Sequence, residues 1–459
     1  MPSVPGRTEE PTISSGSTVA SGVLLGARDL WQVTLPIIVS NLLSLALLVV
    51  DAALLGHFST NDLAAATLGF PVYMVMQMPA TGWATAVQVL VARRWGENDP
   101  AAVARIARLG VLIGGGGGLL CGVVTILAAG VIARLLTDDP FLAQRATDYL
   151  RVIALALPLI GLLSVLRACY AGLGKTAVVM RVTSGVVLAN VPLNLFWILL
   201  VGLGAVGSAL GTVLVLAGGV GALLWHSHAR LSPALPVKGD LHGWRETVAR
   251  LWQIGWPESV MLFAGYLNAL LVMWVVAELG VVAVAVAGIL GALLNVIWTV
   301  IFACSSGVSV LAGQRLGARD LVGAEVVERA GYLITGGCVA ALVTPMLALP
   351  HLVLRLFTDD ASVAAQAASV LPLMLLQTPL MVLGMVLAGM LRAAGDTKTL
   401  LVAATVGAYL VYLPLAWVLA TQLGLGLSGV YLGAVAFWVA RGGLTLIRYR
   451  QGAWRTARL

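Results

Sequence analysis

The apolar run 35–58, LPIIVSNLLSLALLVVDAALLGHF, contains one carboxylate, Asp51. The run is long enough to cross a bilayer, which takes ~20 residues at 1.5 Å each. An ionised Asp at the centre of a membrane span costs ~2.5–3.5 kcal/mol on insertion scales, so such acids face a cavity or a partner and serve ion or proton movement. The plain alternative sets Asp51 at the water interface as a helix-end residue. Asn41, Gln77, Gln88, Asn190 and Asn194 accompany it in the first half of the chain. Asn190 and Asn194 stand four apart and share a helical face. Facing Asp51, they would hold its neutral or its charged form by hydrogen bonds; otherwise they join helices, as amides in membrane bundles do. The second half carries Glu258, Asn268, Asn295 and Gln377. Glu258 follows Pro257 at the expected start of a span, where an acid favours the helix N-terminus, and is read as structural. Tyr73, Trp83, Tyr266 and Trp298, with Met74, Met76, Met78, Met261, Met273, Met381 and Met385, would suit an adaptable apolar cavity wall or plain packing.

Other chemistry lacks its residues. His57, His226, His228, His242 and His351 fall in loops or at span ends, and Cys121, Cys169, Cys304 and Cys338 stand singly with no CxxC, so neither a metal site nor a disulfide framework follows. The run Gly114 to Gly118 lies inside an apolar span with no preceding strand and suits close helix packing. Gly174-Lys175-Thr176 ends like a phosphate-binding loop, but the residue five before Gly174 is Cys169. With no HExxH, acidic dyad or Ser/His pair in the spans, an intramembrane enzyme is disfavoured, and no cofactor is expected. Energy must come from an ion gradient or a partner.

These residues have to be positioned by membrane helices. The chain has 459 residues, 60% hydrophobic and 10% charged, with mean hydropathy +0.98, far from the ~25% charge of soluble domains. Apolar runs near 35–56, 63–90, 104–133, 142–170, 177–201, 205–227, 256–277, 282–311, 323–350, 362–390, 399–420 and 427–447 predict twelve spans. The net charge of +7 does not indicate nucleic acid, because the basic residues sit in short loops. With a cytoplasmic N-terminus they divide 23 inside to 4 outside, Arg167, Arg392 and Arg441 being counted among inner loops and tail, so both termini are expected in the cytoplasm.

The halves repeat at an offset of 221: Leu30-Trp31-Gln32 with Leu251-Trp252-Gln253, Pro36 with Pro257, Gly96 with Gly317, and Asp99 with Asp320. One inserted residue then aligns Pro192 with Pro414 and Gly204 with Gly426. Six spans per copy make both copies enter from one side, related by an axis along the membrane normal. The expected fold is therefore all-α, twelve transmembrane helices in two six-helix lobes related by a pseudo-two-fold. Its parts are a disordered tail (1–27), an N-lobe (28–228), a cytoplasmic linker (229–252), a C-lobe (253–448) and a basic tail (449–459). The linker's end, from Trp244 to Trp256, reads as a short amphipathic helix on the membrane surface.

Pro36 to Asp51 followed by Leu55-Gly56 and Leu63-Ala64-Ala65, the second-span ending Val89 to Gly96, its repeat Val310 to Gly317, and the turn Leu391 to Lys398 together resemble the multidrug and toxic compound extrusion (MATE) family, closest to its DinF-like branch. The resemblance covers about residues 28–450. It implies a two-lobe antiporter exporting organic cations or amphipathic compounds in exchange for H+ or Na+. Asp51 matches the family's first-helix acid and Asn190 its fifth-helix Asn, whereas Asn194 stands where many members carry a second Asp, which weakens a Na+ site. Another branch places a coupling Glu eight residues after the seventh-span Pro; here that position is Gly265, and span ten holds no acid. Proton-driven antiport follows as the expected mechanism, with proton and cationic substrate excluding each other at Asp51, tuned by Asn190, Asn194 and Gln88. The substrate-cavity candidates are Gln88, Asn41, Tyr73, Gln77, Trp83, Tyr266, Asn268, Asn295, Trp298 and Gln377. A flippase of lipid-linked precursors is the nearest competitor, but it would need basic residues in its cavity. The expected setting is the inner (plasma) membrane, the expected partners a small-molecule substrate, H+ and the bilayer, and the expected state a monomer.

Overall fold

Acids, glycines and prolines decide where the apolar runs begin, bend and stop. Asp99, Asp139, Asp320, Asp360 and Asp396 each precede a helix and accept a hydrogen bond from an amide of its first turn. The computed structural model describes residues 15–231 and 243–456. Among these, no strand occurs and twelve helices are long and apolar enough to cross a membrane: α1 (Gly22–Phe58), α2 (Thr60–Gly96), α3 (Pro100–Leu136), α4 (Pro140–Gly172), α5 (Thr176–Leu200), α6 (Gly204–Ala229), α7 (Trp244–Ala277), α8 (Val281–Gly317), α9 (Leu321–Ala348), α10 (Ala361–Ala393), α11 (Thr397–Gln422) and α12 (Leu427–Arg450). The chain is a multi-pass membrane protein.

The repeat is visible in the irregularities. α4 breaks at Ala154 and Leu155 and α10 at Gln377. In each, a proline (Pro158, Pro379) removes an amide and crowds the carbonyl four residues back. α5 and α11 widen into π turns over Leu195–Leu200 and Val406–Tyr412, close to Pro192 and Pro414.

The lobes are not side-by-side bundles. α1 packs on α5 of its own lobe and on α8 and α9 of the other, and α7 answers by packing on α11 and on α2. Leu30 of α1 is fully buried in the second-lobe core, and its repeat partner Leu251 of α7, with Ile254, in the first-lobe core. α2 and α8 cross where both end in basic residues, Arg93 and Arg94 on one and Arg315 on the other. A Cβ on Gly96 would lie 2.0 Å from the Gln314 carbonyl oxygen, and one on Gly317 2.1 Å from the Arg93 carbonyl oxygen. Gln314 is the repeat partner of Arg93, so the contact is mutual, and Ala92 faces its own partner Gly313 across the axis. The Gln314 side-chain amide also donates to the Gly172 carbonyl of α4 at 2.7 Å.

Three boundaries differ from expectation. The helix containing α1 begins at Ser15, so residues 15–27 are helical, not a disordered tail; Gly26 lies against Val326 of α9 there. Residues 1–14 and 232–242 lie outside the described residues. The anticipated surface helix from Trp244 is the first part of α7 itself, because Leu251 and Ile254 are buried in a core. Beyond α12, a short helix Ala453–Thr456 stacks Trp454 on Tyr449, with ring centroids 5.1 Å apart.

Candidate functional site

Asp51 lies on the part of α1 remote from the basic ends of α2 and α8, half-buried, on the wall of a chamber of about 730 Å³. That volume lies within the ~300–1,000 Å³ of small-molecule sites. The wall is built by α1, α2, α4, α6 and α8, and among the described residues Asp51 is the one charged side chain on it. Phe70, Tyr73, Tyr149, Trp298 and Phe302 give it aromatic faces; Asn41, Gln77, Ser208, Thr212 and Thr299 give it polar points. A site with apolar walls, several rings and one carboxylate suits an amphipathic cation.

Asn194 Nδ2 donates to Asp51 Oδ1 at 2.7 Å and to Asn190 Oδ1 at 2.7 Å, and both amides are fully buried. Pro192 lies between them and the π turn begins at Leu195, so this stretch of α5 is the irregular one that turns them towards α1. Gly211 of α6 backs the pair: a Cβ there would lie 2.0 Å from Asn194 Oδ1.

The other expected residues divide. Asn41, Tyr73, Gln77 and Trp298 line the chamber with Asp51. Gln88 lies deeper, on a smaller cavity of about 220 Å³, and its amide donates to Ser306 Oγ of the other lobe at 3.0 Å. Asn41 and Phe302 line both spaces and join them. Trp83, Tyr266, Asn268, Asn295 and Gln377 line neither. Trp83 packs against Trp252 with the ring planes tilted by 50° and centroids 5.8 Å apart. Asn268 is buried within the second lobe, Tyr266 is half-buried, and Asn295 is exposed and accepts from Thr299 of its own helix at 3.5 Å. Gln377 is buried and its amide donates to the Met374 carbonyl at 2.9 Å, satisfying backbone opened by the break in α10. Of the methionines only Met74 lines the chamber; Met381 and Met385 are second-lobe core.

The charges need correction too. Glu258 is not at a helix start, since α7 begins at Trp244; it is buried mid-helix and paired with Arg392, whose Nε donates to its Oε1 at 2.8 Å. Arg167, Arg392 and Arg441 lie within α4, α10 and α12, not in loops or tail, and Arg441 is buried against Trp438, 5.0 Å from the ring centroid. Asp62, which sequence reasoning passed over, is buried near the start of α2, accepting from Arg145 at 2.7 Å and from the Ala205 amide at 3.2 Å. A sign was available: neither residue has a charged partner in the second copy, where Ala283 and Gln366 occupy the equivalent positions.

Two fused copies of a six-helix unit around a membrane-embedded chamber make a transporter architecture. The MatE family model matches residues 36–196 and again 257–418, starting 221 residues apart. The chain belongs to the MatE family, a family of transporters. It is similar to the multidrug resistance protein MdtK of Edwardsiella ictaluri (strain 93-146), with 25% identity over 422 residues that cover 89% of this chain and 92% of that one. It is also similar to the multidrug resistance protein NorM of Burkholderia vietnamiensis, with 28% identity over 436 residues that cover 89% and 90%. Its fold matches the outward-facing conformation of a multidrug resistance MATE family transporter of the MOP superfamily, with a TM-score of 0.86 at 20% identity over 94% of this chain and 97% of that one.

Proposed function

We propose that this protein is a secondary active multidrug antiporter that exports organic cations or amphipathic compounds in exchange for H+. The observation that carries the proposal is Asp51: among the described residues the only charge on the wall of a drug-sized chamber, held by Asn194 and open to whatever enters. One carboxylate can be neutralised by a proton or by a cationic substrate, and exclusive occupancy couples the two fluxes. Asn194 orients the carboxylate through its amide, and Asn190 orients Asn194.

The positive-inside bias sets the basic ends of α2 and α8 in the cytoplasm, together with both termini, in the inner membrane. The seam of Gly96, Gly317 and Gln314 then closes the cytoplasmic side while the chamber lies in the outer half. In this state Asp51 takes a proton from outside and releases the substrate. Once the seam parts and the lobes rock, it loses the proton inside and takes the next cation. The names of the relatives, multidrug resistance proteins, support the substrate class. H+ is favoured over Na+ because the chamber offers a single formal negative charge. Among the described residues no basic side chain stands on the wall around Asp51, which favours a cation there; the two arginines of the adjoining smaller cavity leave a carrier of pyrophosphate-linked lipids as the competing reading.

The test is transport into proteoliposomes carrying an imposed pH or Na+ gradient, wild type against Asp51→Asn. Movement of a fluorescent organic cation driven by the pH gradient and abolished in the variant is expected. Movement driven by Na+ alone would overturn the choice of ion, and full pH-driven activity in Asp51→Asn would overturn the mechanism.

A further inference from the structure

The smaller cavity has the opposite chemistry to the chamber it adjoins. Two guanidinium groups line it, Arg167 from the first lobe and Arg392 from the second, with Asn41, Gln88, Thr85 and Ser306, and among the described residues no carboxylate does. Glu258 answers one of the two charges, meeting Arg392 at 2.8 Å and 3.5 Å. Arg167 has no such answer: among the described residues no ion pair or hydrogen bond from its side chain is made, and its Nε is buried without a partner. An uncompensated cation inside a bundle is costly unless something supplies the opposite charge, and a planar guanidinium is shaped for the two oxygens of a carboxylate or phosphoryl group.

We infer that the smaller cavity is an oxyanion-binding site with Arg167 as its principal ligand and Gln88 and the neighbouring hydroxyls as further donors. At about 220 Å³ it takes a carboxylate or phosphate-sized group, not a whole drug. The oxyanion has two possible sources: the acidic end of a transported molecule whose cationic end lies at Asp51, reaching past Asn41 and Phe302, or a free inorganic anion. The first source rests on the transport reading above; the site itself does not.

The experiment uses the full-length protein in phosphatidylcholine nanodiscs. Tryptophan fluorescence, to which Trp298 on the chamber wall contributes, reports binding of two matched amphipathic cations, one with a free carboxylate and one its methyl ester. Thermal stability is followed with added acetate, inorganic phosphate and chloride. Wild type is expected to bind the acid about tenfold or more tightly than the ester, the scale of a charge-assisted contact. Arg167→Gln should bring acid and ester together while leaving the ester's affinity unchanged, which shows that the variant is folded; Arg167→Lys should keep part of the preference. If acetate and phosphate stabilise wild type but not Arg167→Gln while acid and ester bind alike, the site holds a free anion and the inference stands. Asp51→Asn should weaken both cations and leave the acetate response intact, so loss of the transport reading is seen separately. Equal binding of acid and ester in wild type, together with no response to acetate or phosphate, would overturn the inference. So would an acid preference that survives in Arg167→Gln.

Discussion

Replacing Gly96 and Gly317 by alanine perturbs the seam at the basic ends of α2 and α8 with two methyl groups. Each new Cβ would meet a backbone carbonyl oxygen, at 2.0 Å and 2.1 Å. An ordinary contact near 3.4 Å requires the helices to part by about 1.4 Å, and a backbone neighbour cannot swing aside as a side chain would. Such overpacking costs about 1–3 kcal/mol. Against it stands the better helix propensity of alanine, at most ~1 kcal/mol and less here, because both glycines are the last residues of their helices. The net is about 1–2 kcal/mol per site, which shifts the balance between closed and parted seams by about fivefold to thirtyfold. Hydrogen exchange in nanodiscs reads it directly: peptides covering the ends of α2 and α8 should exchange faster in each variant, and faster again in the double variant. Propensity alone predicts slower exchange, so the sign discriminates. Unchanged or slowed exchange in the double variant would refute the view that this mutual glycine contact holds the seam shut.

Gly211→Ala should act like Asn194→Ala, because its methyl would lie 2.0 Å from Asn194 Oδ1 and displace the amide from Asp51; transport should fall tenfold or more on the scale of a lost hydrogen bond to a charge, with the melting profile kept. Glu258→Gln leaves Arg392 buried without its counter-charge and should cost about 3–5 kcal/mol of stability, read as a fall in melting temperature in detergent. At the start of α10, the Ser362 hydroxyl and the Ser362 and Val363 amides hold the Asp360 carboxyl below the usual carboxylate range. A depressed value contributes stability that is present above about pH 4 and is lost as the pH falls through the folded-state value. Since Asn caps equally well, the melting gap between wild type and Asp360→Asn should be full at neutral pH and close in acid.

The scaffold was legible because it is written twice: the same prolines, glycines and capping aspartates, 221 residues apart, mark the same breaks and turns in both lobes. The chemistry sits where the copies disagree. Asp51 corresponds to Val272, and Asn190 and Asn194 to Tyr412 and Ala416 once the inserted residue is counted. Asp51 and its α5 amides could be singled out because polar residues in apolar runs stand out. Five cavity candidates line neither space, because hydropathy does not say whether a polar residue faces a chamber or its own helix; Gln377 serves a proline break. Arg167 and Arg392 were assigned to loops because each falls in the last turns of its helix, and only the approach of the two lobes shows that they close around a shared hollow.

The exchange of Leu30 and Leu251 between cores bears on how the protein is made. Leu251 and Ile254, which follow the connecting segment, complete the first-lobe core, so the first six helices on their own should lack two of its buried side chains. An amino-terminal half made without the start of its twin is therefore expected to pack incompletely, and the two halves to gain their full stability together.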